Sequence, residues 1–351
     1  VSATAGEMTV SGSLGATYST QSGNTNGLNA AGIITDPNPS SGLGTDKDFS
    51  VSGSGELDNG WTFSGSTLLT DTMTLSSSSL SMTMGSLGTL MMGSIHGGNS
   101  TKYDVQTPTA YEEVDDGAAS SLSANSVGNF LDNNAIQYTS PVFDLYSGMT
   151  IQADLEYAPQ ANDTATGDGG ASASGTYAEG TSLGLTIAGN GAKIGIYGAE
   201  RVSDDNNVQT TDVFTGVWYA NYAYGPVTVG YSESYYDGGL RVNSEALAVN
   251  KDVGVAGGLF TSDTMSIAFN VNDNLSVSYA KSDDVYDNQG STGVSTVGVI
   301  ADVTRSIKSM QAAYSMGAMS IKAYRTTTDN VDFDTLGGSL TVNEIAVGLA
   351  F

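Results

Sequence analysis

The chain has 351 residues, no cysteine and a net charge of −26, from 37 acidic and 11 basic side chains. This charge opposes binding to nucleic acid or anionic membrane surfaces and attracts cations, and the lack of cysteine excludes disulfides and thiolate metal sites. Only 14% of residues are charged and 45 are glycine, which is unlike the composition of ordinary globular domains.

The composition leaves a membrane location open. No run of about 18 apolar residues is present, so a transmembrane helix is excluded, but a closed β-barrel also satisfies its backbone in lipid. Aromatic and β-branched residues occur along the whole chain, which argues against disorder. No signal peptide is visible in the opening VSATAGEMTV, and we interpret the chain as a mature form.

Apolar and polar residues alternate with a period of two from the start of the chain. In MTVSGSLGATY, Met8, Val10 and Leu14 share one face and Ser11 and Ser13 the other. The pattern returns in DFSVSGSGEL, MTIQADLEY, MSIAFNV and NLSVSYA. It predicts strands with one apolar face. The small hydroxylic face suits a water-filled interior, although a soluble β-sandwich would alternate as well.

We predict sixteen antiparallel strands. They lie near 6–19, 46–57, 61–70, 75–85, 89–95, 134–142, 149–158, 180–188, 192–201, 211–224, 227–236, 262–271, 275–283, 304–315, 319–328 and 339–351. Short Asn, Asp and Gly turns alternate with long polar segments, which is typical of an all-β transmembrane barrel with short periplasmic turns and long external loops. Pairing of the first strand with the last would close it, and sixteen strands leave an aqueous channel.

Four segments occur in an order and spacing that is typical of one protein family. They are LDNGWTFSGS (57–66), SLSMTMGSLGTLMMGS (79–94), NAIQYTSPVF (134–143) and the terminal EIAVGLAF, which ends in Phe351. Together they resemble the trimeric general (non-specific) porins of Gram-negative bacterial outer membranes. The resemblance covers the chain from end to end. It implies one barrel domain, residues 1–351, that forms a homotrimer in outer-membrane lipid.

By the same resemblance, the third long loop, about 96–133, folds into the barrel and narrows the pore. This loop contains AYEEVDDGAAS, and no Lys or Arg lies between Lys102 and Lys193. Its acidic cluster consists of Glu112, Glu113, Asp115 and Asp116. The family usually places Arg and Lys on the opposite wall, whereas this chain has Gln137 where many relatives have Arg.

Three interpretations of the acidic cluster stay open. As a lining of the constriction it would attract cations and repel anions. As a structural calcium site it would supply carboxylate oxygens, although its spacing is not that of an EF-hand loop. As a solvated run of charges it would need no further role.

One more acidic residue and four basic residues are also assigned to the constriction: Asp104, Lys193, Arg201, Arg305 and Lys322. Ile194 and Ile196 have outward parity, so Lys193 and Arg201 should face the lumen. Lys308 and Arg325 instead share the parity of lipid-facing residues, so they lie above the apolar band or follow a bulge.

His96 is the only histidine, and it raises the question of a Ser–His hydrolase. Such a site needs a base, an oriented nucleophile and a third group that orients the base, and nothing marks Ser94 or Ser100 as a nucleophile. We therefore expect no enzyme and no required cofactor. The predicted function is a passive, water-filled outer-membrane channel for small hydrophilic solutes that prefers cations. A substrate-selective porin with a defined solute site is the alternative.

Overall fold

The protein forms one closed antiparallel β-sheet. The computed structural model describes residues 4–24, 39–70, 74–94, 98–104, 106–118, 131, 135–161, 177–203, 212–238, 259–287, 302–333 and 338–350. Its strands are β1 Thr4–Asn24, β2 Ser40–Glu56, β3 Thr62–Leu69, β4 Leu75–Thr83, β5 Thr89–Ser94, β6 Ala135–Thr139, β7 Phe143–Asp144, β8 Thr150–Ala158, β9 Tyr177–Gly189, β10 Ala192–Ser203, β11 Val213–Tyr224, β12 Val227–Asp237, β13 Leu259–Asn272, β14 Leu275–Asp287, β15 Val303–Met316, β16 Met319–Asp329 and β17 Ser339–Ala350.

The sheet closes because β1 has a partner on each edge. It pairs with β2, and it also pairs with β17 in a register that runs from Ser13 opposite Ala350 to Asn24 opposite Ser339. Apart from β6 and β7, each other strand pairs with its neighbours in sequence, and every pairing is antiparallel. Closure leaves no unpaired edge, as lipid requires of a β-structure that spans a membrane.

The seventeen strand segments correspond to sixteen barrel strands, because β6 and β7 both pair with β8. The break between them contains Pro141, which has no N–H to donate to the ladder. Ser140 bridges the gap: its N–H donates to the Ala153 carbonyl at 2.8 Å and its hydroxyl accepts from the Ala153 N–H at 2.9 Å. The predicted sixteen-stranded barrel is thus confirmed, with one strand interrupted.

The connections differ in length at the two ends of the barrel. At one end the strands join through tight turns, such as Asn190-Gly191 with φ of 52° and 82°, and Gly317 with φ of 60°. Glycine and asparagine adopt these left-handed angles at little cost. The opposite end carries the longer connections, including the one between β5 and β6, which contains the acidic cluster. We call these the turn end and the loop end.

Alternate residues along each strand face outwards and inwards. In β10, Ile196 is 57% exposed on the outer surface, whereas its neighbour Tyr197 is 3% exposed on the inner surface. Outer faces elsewhere carry exposed apolar residues such as Leu80, Met265 and Met310. The barrel therefore has an apolar outer wall and a polar, partly filled interior.

Two basic side chains lie on the outer wall in the half nearer the loop end. Lys308 and Arg325 follow the regular β15–β16 register, so no bulge turns them inwards. The Lys308 amine lies 3.6 Å from the Asp329 carboxylate, and an Arg325 N–H donates to the Asn343 side chain at 3.5 Å. The regular register thus excludes the bulge, and a position above the apolar band stays the prediction.

Within the described ranges, no helix is long and apolar enough to cross a membrane. The helical segments there are short 3-10 turns: Gly85–Leu87, Ser100–Lys102, Tyr146–Gly148 and Val331–Phe333.

Because the outer face of the wall is apolar and the inner face polar, a charge added to the outer face should lower the free energy of unfolding more than the same charge on the inner face. Ile196→Arg should lower the free energy of unfolding in lipid by about 2–4 kcal/mol, because an arginine near the bilayer midplane loses its hydration. Ser52→Arg, on the inner face of β2, is the matched control and should cost much less. Urea titration of both variants in phospholipid vesicles tests this, and equal losses would contradict the assignment of the faces.

Candidate functional site

The inner surface of the barrel is partly covered by the segment 98–118, which we call the constriction segment. It starts against β8 and crosses the inner faces of β9 to β12. It ends against β14 to β17. These contacts all lie on β8 to β17.

The segment is anchored first by Lys102 and Tyr103. The Tyr103 hydroxyl donates to Asp154 Oδ2 at 2.8 Å, and the Lys102 amine donates to Asp154 Oδ1 at 2.5 Å. The Tyr103 ring is fully buried and stacks on Tyr197, with ring centres 5.1 Å apart. The charge of Lys102 is thus neutralised at the wall.

Glycine in the wall makes room for this anchor. A Cβ atom on Gly184 would lie 2.3 Å from the Tyr103 ring, closer than any real contact allows. A Cβ on Gly195 would meet the Tyr219 ring at the same distance. The close approach of the segment to β9 therefore depends on the absence of a side chain at Gly184, and Gly195 makes room for the Tyr219 ring of β11 beside it.

The middle of the segment follows β10 to β12. The Lys193 amine donates to Gln106 Oε1 at 2.8 Å and lies 5.4 Å from the Tyr219 ring centre. The Asn221 side chain donates to the Gln106 carbonyl at 2.6 Å. Lys193 therefore faces the lumen, as its parity predicts, and contacts the segment from the wall.

The acidic end of the segment is held by one glutamine. Gln311 Oε1 accepts from the backbone N–H groups of Tyr111 and Glu112, at 2.9 and 3.0 Å. Gln311 Nε2 donates to the Glu112 carbonyl at 2.8 Å. Val114 and Ala118 are buried beside Ala280 and Ile307. These contacts fix the backbone that carries all four carboxylates.

Crowding of carboxylates changes their protonation. Burial, together with the nearby charges of Asp104 and of the other three cluster members, raises the pKa of Glu113 to about 7. Burial, together with repulsion from Glu112, Asp115 and Glu344, raises the pKa of Asp116 to about 7. The structure thus places Asp104 near the cluster, and part of the cluster's charge titrates near neutral pH.

Several basic groups are engaged with acidic residues outside the cluster. Ion pairs join Lys102 to Asp154, Lys281 to Asp283, Arg305 to Asp284 and Lys308 to Asp329. The Lys322 amine instead lies over the Tyr111 ring, 4.8 Å from its centre, and the Tyr111 hydroxyl donates to Glu344 at 3.1 Å. Lys322 therefore flanks the acidic end without pairing with it among the described contacts.

The two remaining predicted basic residues lie elsewhere. Arg201 is 8% exposed, and its guanidinium carbon is 3.7 Å from the centre of the Tyr177 ring at the loop end. Arg305 is fully buried and binds Asp284 through two N–H groups, at 3.0 and 2.7 Å. The structure places Arg305 in a dry ion pair rather than at the water-filled constriction, because a partner and a covering aromatic ring are both available there.

The inner face of the wall formed by β1 to β4 is hydroxylic. Inward-facing side chains of β1 to β4 include Ser11, Ser13, Ser50, Ser52, Ser64, Ser66, Ser79 and Ser81. Several bond to one another across strands, as Ser11 does with Ser50 at 2.7 Å. The described inward positions of β1 to β5 contain no Lys or Arg, so no basic wall opposes the acidic cluster there.

Two further predictions concern calcium and the lone histidine. Within the described ranges, no three His, Asp or Glu side chains converge as a metal site requires. Calcium binding by Glu112, Glu113, Asp115 and Asp116 stays a prediction. His96 lies outside the described residues.

Sequence reasoning missed the residues that position the segment, above all Gln311 and Gly184. Gln311 sits at an inward position between the outward Met310 and Ala312, and this parity was the available signal. Nothing in the sequence indicated that its amide would bind the backbone of a loop about 200 residues away. The glycine at 184 had no signal of its own among 45 glycines.

Filling the space at Gly184 should release the constriction segment. Gly184→Val would collide with the Tyr103 ring, and we expect a loss of about 1–3 kcal/mol in unfolding free energy and faster proteolysis near Tyr103. Gly53→Val is the control, because a Cβ on Gly53 meets nothing within 4 Å. Limited proteolysis of the folded barrels tests this. Equal cleavage in both variants would show that the glycine is not needed for docking.

Comparison with known proteins gives a structural likeness only. No protein-family model matches the chain, and no curated protein matches its sequence. Among solved structures, the anion-selective porin from Comamonas acidovorans has a TM-score of 0.64 at 14% identity, over 98% of this chain and 99% of that one.

Two further solved structures agree with it. OmpF of Salmonella typhi, solved in complex with daunomycin, has a TM-score of 0.64 at 10% identity, over 99% and 98% of the two chains. The trimer form of OmpT, an outer membrane protein of Vibrio cholerae, has a TM-score of 0.62 at 12% identity, over 99% and 100%. The chain therefore has the sixteen-stranded barrel fold of the general bacterial porins.

Proposed function

We propose that the protein is a porin of a Gram-negative outer membrane, a passive channel for small hydrophilic solutes rather than an enzyme. The apolar outer wall suits lipid, and the polar inner wall suits water. The constriction segment reduces the free cross-section and would exclude large solutes. Solved structures of the same fold are described as porins, which supports a channel.

The acidic end of the constriction segment supports a preference for cations, and this is the observation that carries the proposal. Gln311 holds the backbone that carries its carboxylates, while Lys102, Arg305 and Lys308 are engaged with other acidic residues. The inner face of β1 to β4 is rich in serine. Fixed carboxylates raise the local concentration of cations and lower that of anions. The similar porin from Comamonas acidovorans is anion-selective, but selectivity follows from local charges and not from the shared fold.

A homotrimer embedded in lipid completes the proposal. The solved trimer form of OmpT has the same fold, and the outer wall here carries many exposed apolar side chains that lipid or a second copy of the chain would cover.

Selectivity tests the proposal directly. Planar bilayers under a salt gradient should show ohmic conductance and a reversal potential that favours cations. Changing Glu112 and Glu113 to Gln, and Asp115 and Asp116 to Asn, should lower the cation-to-anion permeability ratio about twofold per charge. A unit charge about 8 Å away in screened water is worth roughly 0.2 kcal/mol.

The matched control removes four carboxylates from the outer wall: Glu179→Gln, Glu200→Gln, Glu233→Gln and Asp263→Asn. It changes net charge equally but should leave the reversal potential unchanged. Absence of conductance would refute the channel. Anion preference in the unmodified protein, or equal effects of the two variants, would refute the role of the cluster.

Cation preference should also depend on pH. The pKa of Glu113 and of Asp116 is about 7, so both are mostly ionised at pH 8 and mostly protonated at pH 6. The permeability ratio should therefore fall as the pH drops between these values, by up to about fourfold for two charges. Reversal potentials at each pH measure this. The permeability ratio of the four-residue constriction variant should not change with pH over this range. A ratio that is also independent of pH in the unmodified protein would contradict the prediction.

A further inference from the structure

Four carboxylates cross the outer wall in one row near the loop end. Glu233, Asp263 and Asp283 lie directly opposite one another on β12, β13 and β14. Ser306 of β15 continues the row, with Asp283 opposite it on one side and Asp329 of β16 on the other. We call these four carboxylates the acidic row. Like charges directly opposite one another in a sheet repel, so a positive group bound beside the row would stabilise it.

A second row, of basic side chains, lies nearer the turn end. Lys281 and Lys308 are directly opposite each other on β14 and β15, and Arg325 lies one outward position further towards the turn end, on β16. We call these three side chains the basic row. Ion pairs across the two rows join Lys281 to Asp283 and Lys308 to Asp329. Exposed pairs of this kind add little stability, so either partner can bind another group at small cost.

Both rows lie at the loop-end edge of the apolar band of the outer wall. From Asp263 towards the turn end, the next outward positions of β13 hold the exposed apolar side chains of Met265 and Ile267. On β15, the exposed Met310 follows Lys308 in the same direction. Because the apolar band faces the hydrocarbon of the bilayer, the two rows lie at the level of the lipid headgroups.

Aromatic side chains surround one end of the acidic row. Glu233 accepts from the Trp218 indole N–H at 2.9 Å and from the Tyr231 hydroxyl at 2.8 Å. The same hydroxyl lies 3.1 Å from Asp263 Oδ1, and the Trp218 and Tyr231 ring centres are 5.5 Å apart. An open recess of about 380 Å³ adjoins these groups, and Gly216 in its lining has no side chain to fill it. Both donors are uncharged, and carboxylates beside aromatic faces attract an ammonium group.

We propose that the two rows bind a zwitterionic lipid headgroup of the phosphoethanolamine type. Its ammonium group lies on Glu233 and Asp263 beside the Trp218 and Tyr231 rings, and its phosphate accepts charge-assisted hydrogen bonds from Lys281 of the basic row. This is a lipid site on the outer wall, and it goes beyond the proposed channel function.

The order of the two rows selects this class of headgroup. In a phosphoethanolamine lipid the phosphate is attached nearer the acyl chains and the ammonium group extends further towards water. The basic row is likewise nearer the apolar band, and the acidic row is nearer the loop end. A headgroup with negative charge alone would gain the basic row but would be repelled by the four carboxylates beside it.

Native mass spectrometry of the detergent-extracted barrel tests this preference. The protein is titrated separately with phosphatidylethanolamine and with phosphatidylglycerol of the same acyl chains, and the bound fraction is recorded. The unmodified protein should retain phosphatidylethanolamine about threefold better. Glu233→Gln combined with Asp263→Asn should remove this preference by lowering the retention of phosphatidylethanolamine alone. Lys281→Gln combined with Lys308→Gln should lower the retention of both lipids, because both carry a phosphate.

The matched control is Glu179→Gln combined with Glu200→Gln, which removes two exposed carboxylates of β9 and β10 that lie away from both rows. Its lipid retention should equal that of the unmodified protein, and circular dichroism checks that every variant is folded. Equal retention of the two lipids by the unmodified protein, or better retention of phosphatidylglycerol, would overturn the inference. So would an unchanged preference in the folded Glu233→Gln, Asp263→Asn variant, or an equal loss in the control. Each of these results would leave the channel function intact.

Discussion

The structure depends on one constraint, which is that backbone N–H and C=O groups in lipid must pair within the sheet. The pairing of β1 with both β2 and β17 meets it by removing the edges. The one interruption, at Pro141, lies where a proline cannot donate, and Ser140 restores contact with β8. Closure then separates an outer surface that meets lipid from an inner surface that can hold water, and the alternation of side chains follows from that separation.

The same need for backbone partners shapes the interior. The constriction segment has no sheet to join, so wall side chains bind its backbone: Ser278, Gln311 and Asn221 supply the bonds. Two aromatic rings, Tyr103 over Gly184 and Phe333 over Arg305, pack chain segments against the wall. Lys102 and Arg305 are engaged with acidic residues in these contacts, whereas the acidic end brings four carboxylates together. The electrostatics of the channel thus follow from how the loops are anchored.

Strand positions could be predicted because each strand carries a period-two pattern that depends on local sequence. Deviations occur at the loop end, where β1 extends to Asn24 and β2 begins at Ser40, in polar sequence that lacks the apolar signal. Parity also placed Lys193 correctly on the inner face. Parity did not show that Lys193 contacts the constriction segment whereas Arg305 lies in a buried ion pair, because both side chains face inwards. Only their neighbours differ: Lys193 contacts Gln106 of the segment, and Arg305 contacts Asp284 and Phe333.

The sequence by itself determined the barrel class, the number of strands, the two faces and the acidic character of the third long loop. These properties depend on periodicity and composition, which act over a few residues. Tertiary structure alone decided which wall the acidic end contacts and which basic residues are neutralised. Those outcomes depend on contacts between residues up to about 230 positions apart, such as Tyr111 with Glu344, and no local pattern encodes such a pairing.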